Sequence, residues 1–154
     1  MEVTLKALAD PRLPDGLNTL VVGCRKTLEQ TYSRLKAQQC SLLIDPSDLD
    51  IDDLPVHDAI TPGAPSPESG ASSFRWLSHA VSRVKEEHTL ALVTAPIAKH
   101  AWHAAGHDYP GQTERLAELD GARQASMLFT AVSPNHSWRL NTLLATTHIP
   151  LQQV

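Results

Sequence analysis

The stretch "TAPIAKHAWHAAGHDYPGQTERLAEL", residues 94–119, places three of the chain's eight histidines within eight positions and follows them with a Pro-Gly turn. Three chemistries fit such a segment: a metal cluster, a phosphate cradle, or a helix whose imidazoles are incidental. His100, His103 and His107 lie at spacings of three and four, so the first two share a helical face and a third ligand would come close if the helix continued. Gly106 opposes that continuation and turns His107 into a loop, and the segment offers no carboxylate placed to fix the imidazole tautomers. The residues therefore predict partly exposed helix histidines rather than a local metal cluster. His148, in "TTHIPL", directly follows an apolar run. It reads either as a functional side chain at a strand's carboxyl end or as a strand-end residue bonded to backbone.

Two loops could meet an anion. In "TAPIAKH", Pro96 fixes the turn and Lys99 stands at the mouth of the next helix; in "YPGQTE", Gly111 permits close backbone approach and Thr113 offers a hydroxyl beside the free N–H groups of a helix start. A solvated lysine at 99 and a plain helix cap at 113 are the competing readings.

These residues need a scaffold, and the text supplies alternating helix and strand patterns. Helices are predicted at 2–9, 25–39, 70–87, 98–105 and from Thr113 to Gly121. Strands are predicted at 18–23, at 41–44 ("SLLI"), at 90–94 ("LALVT"), and in "ASMLFTAV" and "RLNTLLATT", which bracket the turn "SPNHSW". Residues 45–69, rich in Asp, Pro, Gly and Ser, read as a long surface connection. The expected fold is α/β, three-layered, with a mostly parallel sheet, because the strands run apolar without strict alternation. Ligands of such sheets gather beyond the strands' carboxyl ends, where both loops lie.

Composition narrows the partners. At 154 residues and 42% hydrophobic content the chain fits one domain. A formal charge of -4, without a basic stripe, argues against nucleic acid. Cys24 and Cys40 lack CxxC spacing and read as buried small hydrophobes in a reducing compartment. No apolar run approaches the ~20 residues of a membrane span, and the N-terminus lacks the order of a signal peptide. A soluble, cytoplasmic protein is expected.

"ALVTAPIAKHAWHAAGHDYPGQTERLAEL" together with "LLATTHIPL" resembles the 4-hydroxythreonine-4-phosphate dehydrogenases of pyridoxal phosphate biosynthesis. Their pattern runs Thr-x-Pro-Ile/Val-x-Lys, Ala-Gly, Gly-His-Thr-Glu and Thr-Thr-His-Leu/Ile-Pro-Leu. The likeness extends more weakly through "ESGASSFRWLSHAV" to "EVTLKALADPRLP", spanning practically the whole chain as a single partial domain, 1–154. It implies a two-lobed α/β fold like that of the isocitrate and isopropylmalate dehydrogenases. It also implies oxidation of 4-phosphooxy-L-threonine with NAD or NADP, followed by decarboxylation. A divalent metal (Zn, Mg or Co) would be held by histidines from both subunits of a homodimer. His148 matches one metal ligand and Thr113 a substrate-binding threonine. Gln112 takes the substrate-binding position where the family pattern has histidine. Lys99 belongs to the first motif without an implied catalytic role. The family's Gly-Asp-Pro-Ala-Gly loop and its second half, with two further metal histidines, have no counterpart here, so an inactive fragment is expected. Two alternatives stay open: a related dehydrogenase acting on a phosphorylated four-carbon sugar acid, for which Gln112 leaves room, and a non-catalytic domain.

Overall fold

The computed structural model describes residues 1–56, 60–87, 91–123, 125–145 and 152. They form two compact units, Met1–Gln112 and Thr113–Val154.

The first unit begins with α1 (Glu2–Ala7), β1 (Leu20–Gly23) and α2 (Arg25–Ala37). Both helices aim leucines inward: Leu5, Leu28 and Leu35 are buried with Leu49, and Val21, Tyr32 and Ile51 pack around them. α2 ends in a Schellman turn. The amide of Cys40 reaches the Leu35 carbonyl and that of Gln39 the Lys36 carbonyl, with Gln39 itself at φ 59°.

The run 41–44 is not a strand. It lies against the leucine core, and the Ile44 amide donates to the Leu5 carbonyl (3.2 Å), so its apolar character is used in packing without a ladder. The 45–69 stretch, by contrast, is not a bare connection. It holds a 3-10 turn at Pro46–Asp48, capped by the Asp45 side chain, and then β2 (Asp50–Asp53), which pairs in parallel with β1 from Leu20↔Asp50 to Gly23↔Asp53. Three aspartates in a four-residue strand conceal it from a hydrophobicity reading. Two of their carboxylates are matched by distant groups: Asp53 accepts from the Arg25 amide at the start of α2 (2.8 Å), and Asp52 meets His79 Nε2 (2.8 Å) and Arg83 Nε (3.2 Å).

Those two partners belong to α3 (Pro67–Glu87), whose first turn is closed by reciprocal bonds between Ser66 and Ser69. Polar side chains dock α3 along the strand and its exit. Trp76 Nε1 donates to the Leu54 carbonyl (3.0 Å) and Arg75 to that of Pro55. On its other side α3 carries α4 (Lys99–Ala104). Gly70 makes that contact possible, since a Cβ there would overlap the Ala101 carbonyl. No described residue from 91 to 98 lies in a strand, so the strand expected at 90–94 is absent over 91–94, while Leu90 is outside the described residues.

α5 runs from Gln112 to Asp120. In the second unit β3 (Leu128–Val132) and β4 (Arg139–Leu143) form an antiparallel hairpin, from Leu128↔Leu143 to Val132↔Arg139. Its turn is tied by the Ser133 hydroxyl, which accepts from the amides of Asn135 and His136. Every residue of both strands is exposed, including Phe129, Leu140 and Leu143. The expected α/β class is present. Among the described residues it is expressed as one parallel and one antiparallel strand pair. No helix there is long and apolar enough to cross a membrane.

Candidate functional site

The two loop motifs meet through one side chain. Residues 91–98 lie in no helix or strand, with Thr94, Ala95 and Pro96 exposed, and Pro96 contributes no N–H. Ala98 precedes α4 and its carbonyl accepts from the amides of Ala101 (3.0 Å) and Trp102 (3.3 Å). Gln112, the first residue of α5, donates from Nε2 to the Ala95 carbonyl at 2.9 Å. The "TAPIAK" and "PGQTE" motifs are thereby joined within the first unit. Thr113, in the second unit, is half-buried in the first turn of α5. It is not the residue preceding the helix, because α5 begins one position earlier than predicted. Lys99 is exposed at the start of α4.

Two histidines of the opening stretch, His103 and His107, are engaged in architecture, while His100 is exposed on α4. α4 closes in a Schellman turn: the amides of Gly106 and His107 reach the carbonyls of His103 and Trp102, and Gly106 adopts φ 86°, where a Cβ would be strained. The turn lays the His107 ring flat on Phe74, with centroids 3.6 Å apart and planes 5° from parallel. Trp102 is fully buried, packs edge-on against Phe74 and donates from Nε1 to the Ser73 hydroxyl (2.9 Å). Tyr109 adds a tilted ring. His103 Nδ1 meets Asp108 Oδ1 at 3.0 Å, which corrects the expectation that the segment has no carboxylate for its imidazoles. His103 is exposed and His107 half-buried, and no group of three His, Cys, Asp or Glu suited to a metal occurs among the described residues. His148, the predicted metal ligand, lies outside the described residues.

The sequence reading passed over the Phe74, Trp102, His107 and Tyr109 cluster and over the Asp52, His79 and Arg83 network. The signal for the first was present in the aromatic residues flanking Gly106. For the second there was none, since its partners are 27 or more positions apart. Cys24, expected as a buried small hydrophobe, is buried at the start of α2. Burial pushes its thiol up, but hydrogen bonds from the Thr27 hydroxyl and the amides of Thr27 and Val56 outweigh this and hold it below the ordinary value.

The family model described as pyridoxal phosphate biosynthetic protein PdxA matches residues 15–154. A 4-hydroxythreonine-4-phosphate dehydrogenase from Synechococcus sp. (strain RCC307) is 58% identical over 153 residues, covering 99% of this chain and 46% of the relative. A D-threonate 4-phosphate dehydrogenase from Pectobacterium atrosepticum is 29% identical, covering 99% and 48%. The crystal structure of 4-hydroxythreonine-4-phosphate dehydrogenase from Klebsiella pneumoniae superposes with a TM-score of 0.77 at 30% identity, over 99% of this chain and 48% of that one. The chain thus spans about half the length of the curated relatives it matches. With the family model matched across both loop motifs, on a scaffold that follows a solved member throughout its length, the chain belongs to the PdxA family.

Proposed function

We propose that the chain contributes one part of a nicotinamide- and divalent-metal-dependent dehydrogenase that oxidises 4-phosphooxy-L-threonine, with loss of carbon dioxide from the product, in pyridoxal 5'-phosphate biosynthesis. The observation that supports this most directly is the 58% identity to a 4-hydroxythreonine-4-phosphate dehydrogenase, maintained along practically the whole chain. Within it, Gln112 and Thr113 hydrogen-bond the phosphorylated substrate. Gln112 does so without charge, because its amide both donates and accepts yet does not titrate. His148 supplies one metal ligand. The donor set of the described residues does not complete a cation site, so His148 fits only as a member of a set whose other ligands come from outside them, in the homodimer that the family pattern implies. When bound, a divalent cation supplies positive charge where negative charge develops during oxidation and decarboxylation. NAD or NADP, when bound, would supply the hydride acceptor. The setting is cytoplasmic, and neither nucleic acid nor membrane is a partner.

A second reading, a dehydrogenase of a phosphorylated four-carbon sugar acid such as D-threonate 4-phosphate, is left room by the amide at position 112 and supported by the likeness to the Pectobacterium relative. One assay separates the two. The 154-residue chain should form no NADH or NADPH alone, since its relatives are about twice as long. Joined to the part of the Synechococcus relative outside the matched region, it should turn over 4-phosphooxy-L-threonine in preference to D-threonate 4-phosphate. The opposite preference would install the second reading, and turnover by the chain alone would show that the site needs nothing further.

A further inference from the structure

We propose that Gln112 is a positioning residue: its side-chain amide clasps the Ala95 carbonyl and so fixes the loop that leads into Lys99, by a bond that is indifferent to pH across the physiological range. The need for such a clasp follows from the loop itself. Residues 91–98 lie in no helix or strand, so no ladder orders their peptide groups. Among the described residues, the hydrogen bond that reaches 91–97 comes from Gln112 Nε2, at 2.9 Å. The far end of the loop is already held, because Ala98 accepts the first bonds of α4 and the next turn ends in the fully buried Trp102. With Ala95 held as well, Pro96 and Ile97 are left between two fixed points, and the proline ring removes one of the remaining torsions.

Gln112 is suited to this task by its base and its length. It begins α5 next to the buried Gly111, so its backbone is set by the helix start. Only one amide proton is used on Ala95, which leaves the other proton and Oε1 for a ligand. Asparagine would fall short by a methylene. Glutamate has the same reach but offers no donor until it is protonated, and a neutral carboxyl bonded to a carbonyl should titrate above its usual value of about 4.3. The proposal concerns how the substrate loop is held, and its link to ligand binding rests on the function proposed above.

The test uses the 154-residue chain, isotopically labelled, with NMR relaxation at the methyls of Ala95 and Ile97 and exchange of the Gln112 side-chain amide protons. In the wild type one Gln112 amide proton should exchange several-fold more slowly than those of the exposed Gln30. Gln112→Ala should lower the order of both methyls at every pH. Gln112→Glu should lower it at pH 7 and recover it as pH falls through the titration of the new carboxyl, a signature that a general packing role would not produce. Unchanged order in Gln112→Ala, or a pH-independent Gln112→Glu, overturns the clasp. Calorimetric titration with 4-phosphooxy-L-threonine separates the clasp from the function. Equal binding by wild type and Gln112→Ala overturns the positioning role. No binding by wild type once it is joined to the remainder of its Synechococcus relative removes the substrate reading and leaves the clasp to be decided by relaxation alone.

Discussion

Gly70→Ala should destabilise the first unit by about 2–4 kcal/mol. The added methyl would overlap the Ala101 carbonyl and lie 3.0 Å from the Trp102 amide nitrogen. Both are backbone atoms of α4 and cannot rotate aside, so the two helices must part by roughly 1 Å, an overpacking that typically costs ~1–3 kcal/mol. Parting them also strains the Trp102 to Ser73 hydrogen bond of 2.9 Å, worth about 1 kcal/mol, and uncovers part of a fully buried indole, roughly another 1 kcal/mol for about 40 Å² at ~25 cal/mol per Å². Against this, alanine gains about 1 kcal/mol over glycine in helix propensity. The net loss is a large share of a stability that for ordinary domains is ~5–15 kcal/mol. Urea unfolding followed by tryptophan fluorescence measures it, and the melting temperature should fall by roughly 4–16 °C, at ~2–4 °C per kcal/mol. Ala71→Gly, at an exposed neighbouring position, provides the control and should lose only the propensity term of about 1 kcal/mol. A Gly70→Ala protein as stable as the wild type would refute the close approach of α3 and α4.

Three further outcomes are expected. Gln39→Gly should stabilise the chain by about 0.5–1 kcal/mol in chemical denaturation, because Gln39 holds φ 59° at the end of α2, where a side chain costs ~1–2 kcal/mol, part of which glycine's greater unfolded-state freedom cancels. Asp45 is held below the usual carboxylate range by the Ser47 amide and hydroxyl, and Asp10 is lowered to about 2 by the Arg12 side chain. A carboxylate with a depressed folded value stabilises above its unfolded value of ~4 and loses that contribution as pH falls through the folded one, so Asp45→Asn should lower the urea midpoint at and above neutrality, flatten the acid limb and bring the two profiles together in acid. In the chain joined to the remainder of its Synechococcus relative, His148→Ala should remove bound metal and NADH formation while His103→Ala retains both, as read by metal analysis and absorbance; the reverse ranking would return the metal to the histidine-rich stretch.

What the sequence disclosed and what it concealed divide along a physical line. α2 and α3 were legible because Leu28, Tyr32 and Leu35, and Phe74, Leu77, Val81 and Val84, repeat at helical spacing and turn one face inward. α1 was legible from its stop at Asp10-Pro11. β2 was not, because strand patterns are sought in apolar text, and of its aspartates Asp52 and Asp53 are matched by Arg25, His79 and Arg83, whose approach is a consequence of the fold, while Asp50 is exposed. The error at 41–44 is the converse: apolar text that packs on a core without pairing. Thr113 was singled out by its place at a helix start, and Gln112 by the family resemblance alone. That Gln112 bonds the carbonyl of Ala95, 17 positions earlier, was not available from either motif by itself.

The density of imidazoles in residues 94–119 finally argues for architecture over coordination. A metal requires lone pairs of three or four side chains to converge at about 2.0–2.2 Å on one point. Gly106 prevents this by reversing the chain after α4, which sends the His107 ring onto Phe74 of α3 while His103 turns to Asp108. The same reversal places Tyr109 beside that aromatic pair and delivers the Pro110-Gly111 turn to the start of α5, from which Gln112 reaches back to Ala95. The segment between the two loop motifs thus acts as a brace. His107 and Trp102 fasten the brace to α3, and the polar group it holds in place is the Gln112 amide, not an imidazole.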